Sequence, residues 1–145
     1  MLSQKAKYAL KAMLTLAAET KGDLLQAGDI SESQNVPRKF LEMILLELRK
    51  AGLIASQRGK NGGYMLAKPA DAITFGQIVR IMDGPLAPIP CASLTGYRRC
   101  ADCKDEKTCA VRRTMREVRD AAATILDGMT LADAQKPAAR KAAGL

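Results

Sequence analysis

Residues 37–66 read PRKFLEMILLELRKAGLIASQRGKNGGYML, and this stretch decides the fold. Pro37 suits the first turn of a helix, where its missing N–H costs nothing. Phe40, Leu41, Ile44, Leu45 and Leu48 recur at helical spacing, so a helix over 37–51 carries one apolar stripe. Lys39, Glu42, Met43, Leu46 and Lys50 fall on its opposite face, with Arg38 and Arg49 at the margin. Gly52 follows as the residue that ends it. Two short strand-like segments, 53–58 and 64–67, flank Gly59-Lys60-Asn61-Gly62-Gly63, which predicts a β-hairpin.

Upstream, residues 4–20 place Ala6, Ala9, Leu10, Met13, Leu14 and Ala17 on one helical face, and Lys21-Gly22-Asp23 stops that helix. A short helix over 28–34 precedes the Asn35-Val36-Pro37 turn. The order helix, helix, turn, helix, hairpin is that of a winged helix-turn-helix: mainly α, with one small β-hairpin. The helix over 37–51 is then the one that docks by its inner face and offers its polar outer face to a DNA major groove. The Gly-rich turn becomes a wing that reaches phosphates or the minor groove. Between Arg38 and Lys60 six basic residues stand against two acidic ones, so this segment is more basic than the chain as a whole. The same turn read as a nucleotide-phosphate cradle lacks the required glycine pattern and sits between strands, not before a helix.

Downstream, Thr74 and Gln77 form a capping box for a helix over 75–83, closed by Gly84-Pro85. Residues 85–109 hold all four Cys and three of the six Pro, an irregular loop that needs something besides a core to order it. A long helix follows over 107–128. Its apolar positions Val111, Met115, Val118, Ala122, Ile125 and Met129 step by four and three alternately, the seam of a short coiled coil. The chain thus divides into a winged helix-turn-helix domain (1–84), a Cys-rich loop (85–106), a dimerisation helix and its end (107–133), and a flexible Ala/Lys/Arg-rich tail (134–145).

Composition narrows the function classes. The 145 residues are one domain by size, long enough to bury roughly 70% of their unfolded surface. There is no His, which excludes Ser-His triads, His general bases and mixed Cys/His zinc sites; no enzyme is expected. Aromatics make up 3%, too few for a protein that stacks single-stranded bases on rings. The net charge of +8 favours a polyanionic partner over mere solubilisation once the wing is considered. No run of 18 apolar residues occurs, so no membrane partner is expected, and the amphipathic start predicts a cytoplasmic protein.

In that reducing compartment, Cys91, Cys100, Cys103 and Cys109 point to metal or redox work in preference to structural disulfides. Their spacing is C-x8-C-x2-C-x5-C. Four thiolates hold zinc tetrahedrally or ligate a 2Fe–2S or 4Fe–4S cluster, and spacing alone does not choose. Reversible disulfides and buried apolar filler are the alternatives.

The chain resembles the IscR/NsrR/RirA-like winged-helix transcription regulators. The resemblance rests on Leu48-Arg49-Lys50-Ala51-Gly52-Leu53 and on Arg58-Gly59-Lys60-Asn61-Gly62-Gly63-Tyr64, supported by Lys5 through Leu14 and by the Cys loop. It implies a homodimer on a palindromic double-stranded DNA operator, with the long helices crossed and an iron–sulfur cluster beside the dimer interface. Of the cluster types, 2Fe–2S is favoured over 4Fe–4S, with zinc as the alternative. It further implies gene regulation, repression included, in response to iron, cluster supply, nitric oxide or oxidant. Base-facing residues would be Arg38, Lys39, Glu42 and Met43; the wing would contribute Arg58, Lys60 and Asn61. Cys91, Cys103 and Cys109 match the family's ligand cysteines, and Cys100 is an additional thiol and the natural fourth ligand. Arg112 stands where some relatives have a ligating His.

Overall fold

The computed structural model describes residues 2–137. Its elements are α1 (Gln4–Ala18), α2 (Ala27–Gln34), α3 (Arg38–Lys50), β1 (Ile54–Gln57), β2 (Gly63–Leu66), α4 (Phe75–Asp83), α5 (Ala110–Gly128) and α6 (Leu131–Ala134). Single 3-10 turns lie at Ala70–Ala72 and Pro90–Ala92. The core is shared by the first four helices and the hairpin. Met13, Ile30, Leu41, Ile44, Leu45, Leu48, Ile73 and Ile78 are wholly buried within it. Two ties fix the sides of this core: Tyr8 meets Phe40 edge-to-face at 5.6 Å, and Lys5 Nζ lies 2.8 Å from Glu47 Oε1.

Helix ends follow local capping chemistry. Ser3 caps α1 by accepting from the Ala6 N–H. Helix α2 begins at Ala27, one residue earlier than expected, because Gln26 and Asp29 form a reciprocal capping box. Pro37 is the cap residue of α3 and not its first turn; its ψ of 128° is extended, and Arg38 is the first helical residue. At the other end Gly52 takes a φ of +81°, the left-handed conformation that lets the chain leave the helix. Helix α1 closes at Ala18, two residues before the expected limit.

The strands pair antiparallel, Ile54 with Leu66 and Gln57 with Gly63. Leu25 adds a bridge to Tyr64, exchanging two backbone hydrogen bonds of 2.8 and 3.0 Å, so the segment between α1 and α2 anchors the hairpin's inner strand. The turn is closed by Gly62 N–H donating to Gly59 O at 3.0 Å. A side chain at Gly62 would place its Cβ 2.1 Å from the Gln57 carbonyl oxygen, so only glycine fits.

Helix α5 begins at Ala110, three residues later than the sequence suggests. Cys109 is its cap, with Sγ accepting from the Arg112 N–H at 3.4 Å, and Lys107 and Thr108 lie in the preceding turn. None of its residues is buried. Its far end is fastened to α4 by Arg80, which donates to both carboxylate oxygens of Asp127 at 2.6 and 2.9 Å. The chain then returns to the core through a Thr74–Thr130 bridge, and Leu131 is fully buried. Ala134, assigned by sequence to the tail, closes α6, and Gln135 Nε2 donates to Leu14 O at 3.1 Å. The rest of the expected tail, 138–145, lies outside the described residues.

Candidate nucleic-acid interface and cysteine centre

Helix α3 is cleanly two-faced. Leu41, Ile44, Leu45 and Leu48 are buried, while Arg38, Lys39, Glu42 and Met43 are exposed. Arg38 Nε donates to Glu42 Oε1 at 3.2 Å, one turn along the same face. At about half exposure this pair adds little stability, but it holds both polar groups in a defined orientation. Between α3 and the hairpin runs a cleft of about 380 Å³ lined by Arg38, Glu42, Arg49 and Arg58. The fold therefore brings Arg38, Glu42 and Arg58 around one cleft, whereas Lys39 and Met43 stand on α3 beside it and Lys60 and Asn61 form the wing tip.

Sequence reading left Arg49 at the margin of the helix and did not single out Gln26 or Ala27. Arg49 Nη1 donates to Ser56 Oγ at 3.2 Å, tying α3 to β1 and adding a third guanidinium to the cleft. Gln26 and Ala27 line its far wall at the start of α2. No local signal marks these; they become neighbours only through the Leu25–Tyr64 bridge.

The four cysteines meet at a second place. All of them line a single cavity of about 420 Å³ at the start of α5, together with Asp102 and Arg112. Cys91 is buried, Cys103 and Cys109 are half-buried, and Cys100 is exposed. Arg112 Nε donates to the Cys91 carbonyl at 2.9 Å, and Arg119 Nη1 donates to the Ala92 carbonyl at 2.6 Å. Two guanidiniums of α5 thus grip consecutive carbonyls of the 3-10 turn that carries Cys91. Arg112 touches two of the four cysteines, through its backbone N–H at Cys109 and its side chain at Cys91. A hydrogen bond and the charge of Asp102 hold the Cys100 thiol above its ordinary pKa.

As a donor set the four thiols suit a soft metal centre. Among the described residues, however, no three Cys, Asp or Glu side chains converge closely enough to hold a metal ion. The Cys103 N–H donates to the Cys100 carbonyl at 3.2 Å, closing a turn between these two cysteines.

Comparison with known proteins places the chain in a family. A family model described as Rrf2, iron-dependent transcriptional regulator, matches residues 2–137. The chain belongs to the Rrf2 family. An rrf2-like HTH-type transcriptional regulator of Rhodobacter capsulatus is 46% identical over 97% of each chain. The HTH-type transcriptional regulator IscR of Erwinia tasmaniensis is 33% identical, the match covering 91% of this chain and 76% of that one. Among solved structures, CymR, the global cysteine regulator of B. subtilis, superposes with a TM-score of 0.75 at 33% identity, covering 92% of this chain and 94% of that one. The mainly α winged helix-turn-helix with one antiparallel hairpin is the architecture of these Rrf2 regulators. By its family this is a non-enzymatic, DNA-binding transcription regulator. Among the described residues no helix is long and apolar enough to cross a membrane.

Proposed function

We propose that this Rrf2 protein acts as a homodimer whose affinity for a palindromic operator is gated by an iron–sulfur cluster, which on binding would draw Cys91, Cys100, Cys103 and Cys109 together from the cavity they line. The observation that carries the reading is the single cavity lined by all four cysteines, with Arg112 donating to the Cys109 thiol and to the Cys91 carbonyl. The cluster would supply a centre sensitive to iron supply, nitric oxide or oxidant. The protein's own part is mechanical. Arg112 and Arg119 couple the position of the Cys91 turn to α5, and α5 carries the surface for a second copy.

That surface is the outer stripe Val111, Val118 and Ile125, seven residues apart and exposed by 62, 45 and 68%. A 19-residue helix with no buried residue and such a stripe calls for cover. Beside it a groove of about 510 Å³, lined by Leu2, Val79, Leu86, Val118 and Ala122 with Ser3 and Asp83 at one side, would supply a seat for the partner's helix. Two half-sites must meet recognition helices about 34–36 Å apart, so a modest change in α5 alters affinity without touching a base contact.

On the DNA, Arg38, Lys39, Glu42 and Met43 of α3 face the bases, and Arg58, Lys60 and Asn61 of the wing meet phosphates or the minor groove. Glu42, preset by Arg38, is an acceptor for a cytosine amino group.

A thiol switch without iron is the second reading, favoured by the turn between Cys100 and Cys103. A turn of that kind keeps the two Cα atoms within about 7 Å, the span a disulfide can bridge. Purification without oxygen, followed by a visible spectrum and assays for iron, sulfide and zinc, separates the readings. The cluster reading expects a coloured protein with equal iron and sulfide. A colourless protein with four titratable thiols and no iron would support the thiol switch, and one zinc per chain would make the loop structural.

A further inference from the structure

Two large apolar side chains lie on the side of α3 that turns away from the core. Met43 is 46% and Leu46 is 41% exposed, although the helix buries four other aliphatic residues completely. They are consecutive members of a stripe, Lys39, Met43, Leu46 and Lys50, spaced four, three and four residues apart. Its middle is apolar and both its ends are cationic. Arg38 and Arg49 add positive charge along one side, and the wing with Arg58 and Lys60 stands close by.

An apolar protein surface docking here would bury these cations without partners. The flanking charge instead complements a polyanion, whose phosphates would be met by the lysines while the apolar middle faces inward. In the major groove of double-stranded DNA one base edge is apolar, the C5-methyl group of thymine. A methionine thioether is flexible and polarisable, suited to packing over a methyl group whose position varies with local groove shape.

We infer that Met43, with Leu46 one turn further along α3, reads the C5-methyl group of a thymine in each operator half-site, making Met43 a specificity-determining residue. This rests on the reading of α3 as the helix that enters the major groove. It adds a requirement for thymine to the cytosine acceptor offered by the neighbouring Glu42.

The test uses the full-length protein and a duplex of about 30 base pairs, long enough for two half-sites, enriched by that protein from a random pool. Each thymine is replaced in turn by deoxyuridine, which removes only the methyl group, and affinity is read by fluorescence anisotropy at one salt concentration. One thymine per half-site should weaken binding about fourfold when its methyl is removed, the size of one buried methyl group. Met43→Ala and Met43→Gln should bind the thymine and uracil duplexes alike at that position, while keeping their response to salt. Uracil duplexes bound as tightly as the parent, or an undiminished thymine preference in both variants, would overturn the inference and leave α3's place in the groove standing. A pool from which no duplex is enriched would overturn both.

Discussion

Arg58 shows how much a single side chain is asked to do. It leaves the hairpin beside a turn that only glycine can close, and it faces Arg38 and Arg49 across a cleft with no acid except Glu42, already taken by Arg38. Three guanidiniums sharing one carboxylate repel one another in the free protein and are relieved by phosphate. If Arg58 meets the DNA backbone, Arg58→Ala should weaken binding to any sequence and lower the slope of log affinity against log salt by about 1, for the counterion no longer released. A variant that loses affinity with the slope unchanged would place the wing off the DNA. The wing arginine and the glycines around it were legible in the sequence, because a tight turn writes its demands into adjacent residues. Arg49 was legible only as one more positive charge; its hold on Ser56 depends on how β1 packs over α3.

At the scale of elements, the chain is built so that α5 is fastened along one side and bare along its outer stripe. Its first half is held by Arg112 and its midpoint by Arg119 on the Cys91 turn, the far end by Arg80 on Asp127. The Arg80 hydrogen bonds keep the Asp127 carboxyl below the usual aspartate range, and Asp127 in turn raises Arg80. A carboxyl with a lowered folded pKa stabilises the fold above its unfolded value, near about 3.9, and that contribution is lost as pH falls through the folded value. Both side chains are more than a third exposed, so solvent screening keeps the effect small. Asp127→Asn should therefore lower the thermal midpoint modestly at pH 7, with the difference from wild type closing as pH falls through the lowered folded value of Asp127. A midpoint difference that persists undiminished in acid would show that Asp127 acts by packing and not by charge. Periodicity revealed α5 and its seam, but placed its start three residues early, since helical propensity does not foresee that Cys109 caps it. Arg112 was readable only as a residue unable to ligate. Its grip on the Cys91 carbonyl joins residues 21 apart and leaves no mark in local sequence.

For the whole molecule, the two sites are at opposite ends of a chain of rigid connections. The wing and α3 share the core with α4, α4 holds α5, and α5 holds the cysteine turn. A dimer formed along α5 would let one loop per subunit set the distance between two recognition helices. Ile125→Glu together with Val118→Glu should then yield a folded monomer by sedimentation, with operator affinity reduced by orders of magnitude because the second half-site no longer adds its contacts. A double variant that still sediments as a dimer would place the interface elsewhere. The architecture, the basic wing and the Cys cluster could be read from sequence because each is carried by a contiguous motif. What could not be read are the long-range contacts of Arg80, Arg112 and Arg119 that join α5 to α4 and to the Cys91 turn.

Whether the state of the four-cysteine centre sets DNA affinity is decided by a single three-way comparison. Operator binding is measured without oxygen, at matched salt, for the protein carrying its cluster, for the same preparation after chelation of its iron, and for a variant with Ser at 91, 100, 103 and 109. The chelated protein and the variant should agree with each other and differ from the loaded protein by about tenfold or more, the range of ordinary coupling between two sites. Equal affinity in all three would contradict this, leaving the cysteine centre without a hand in regulation.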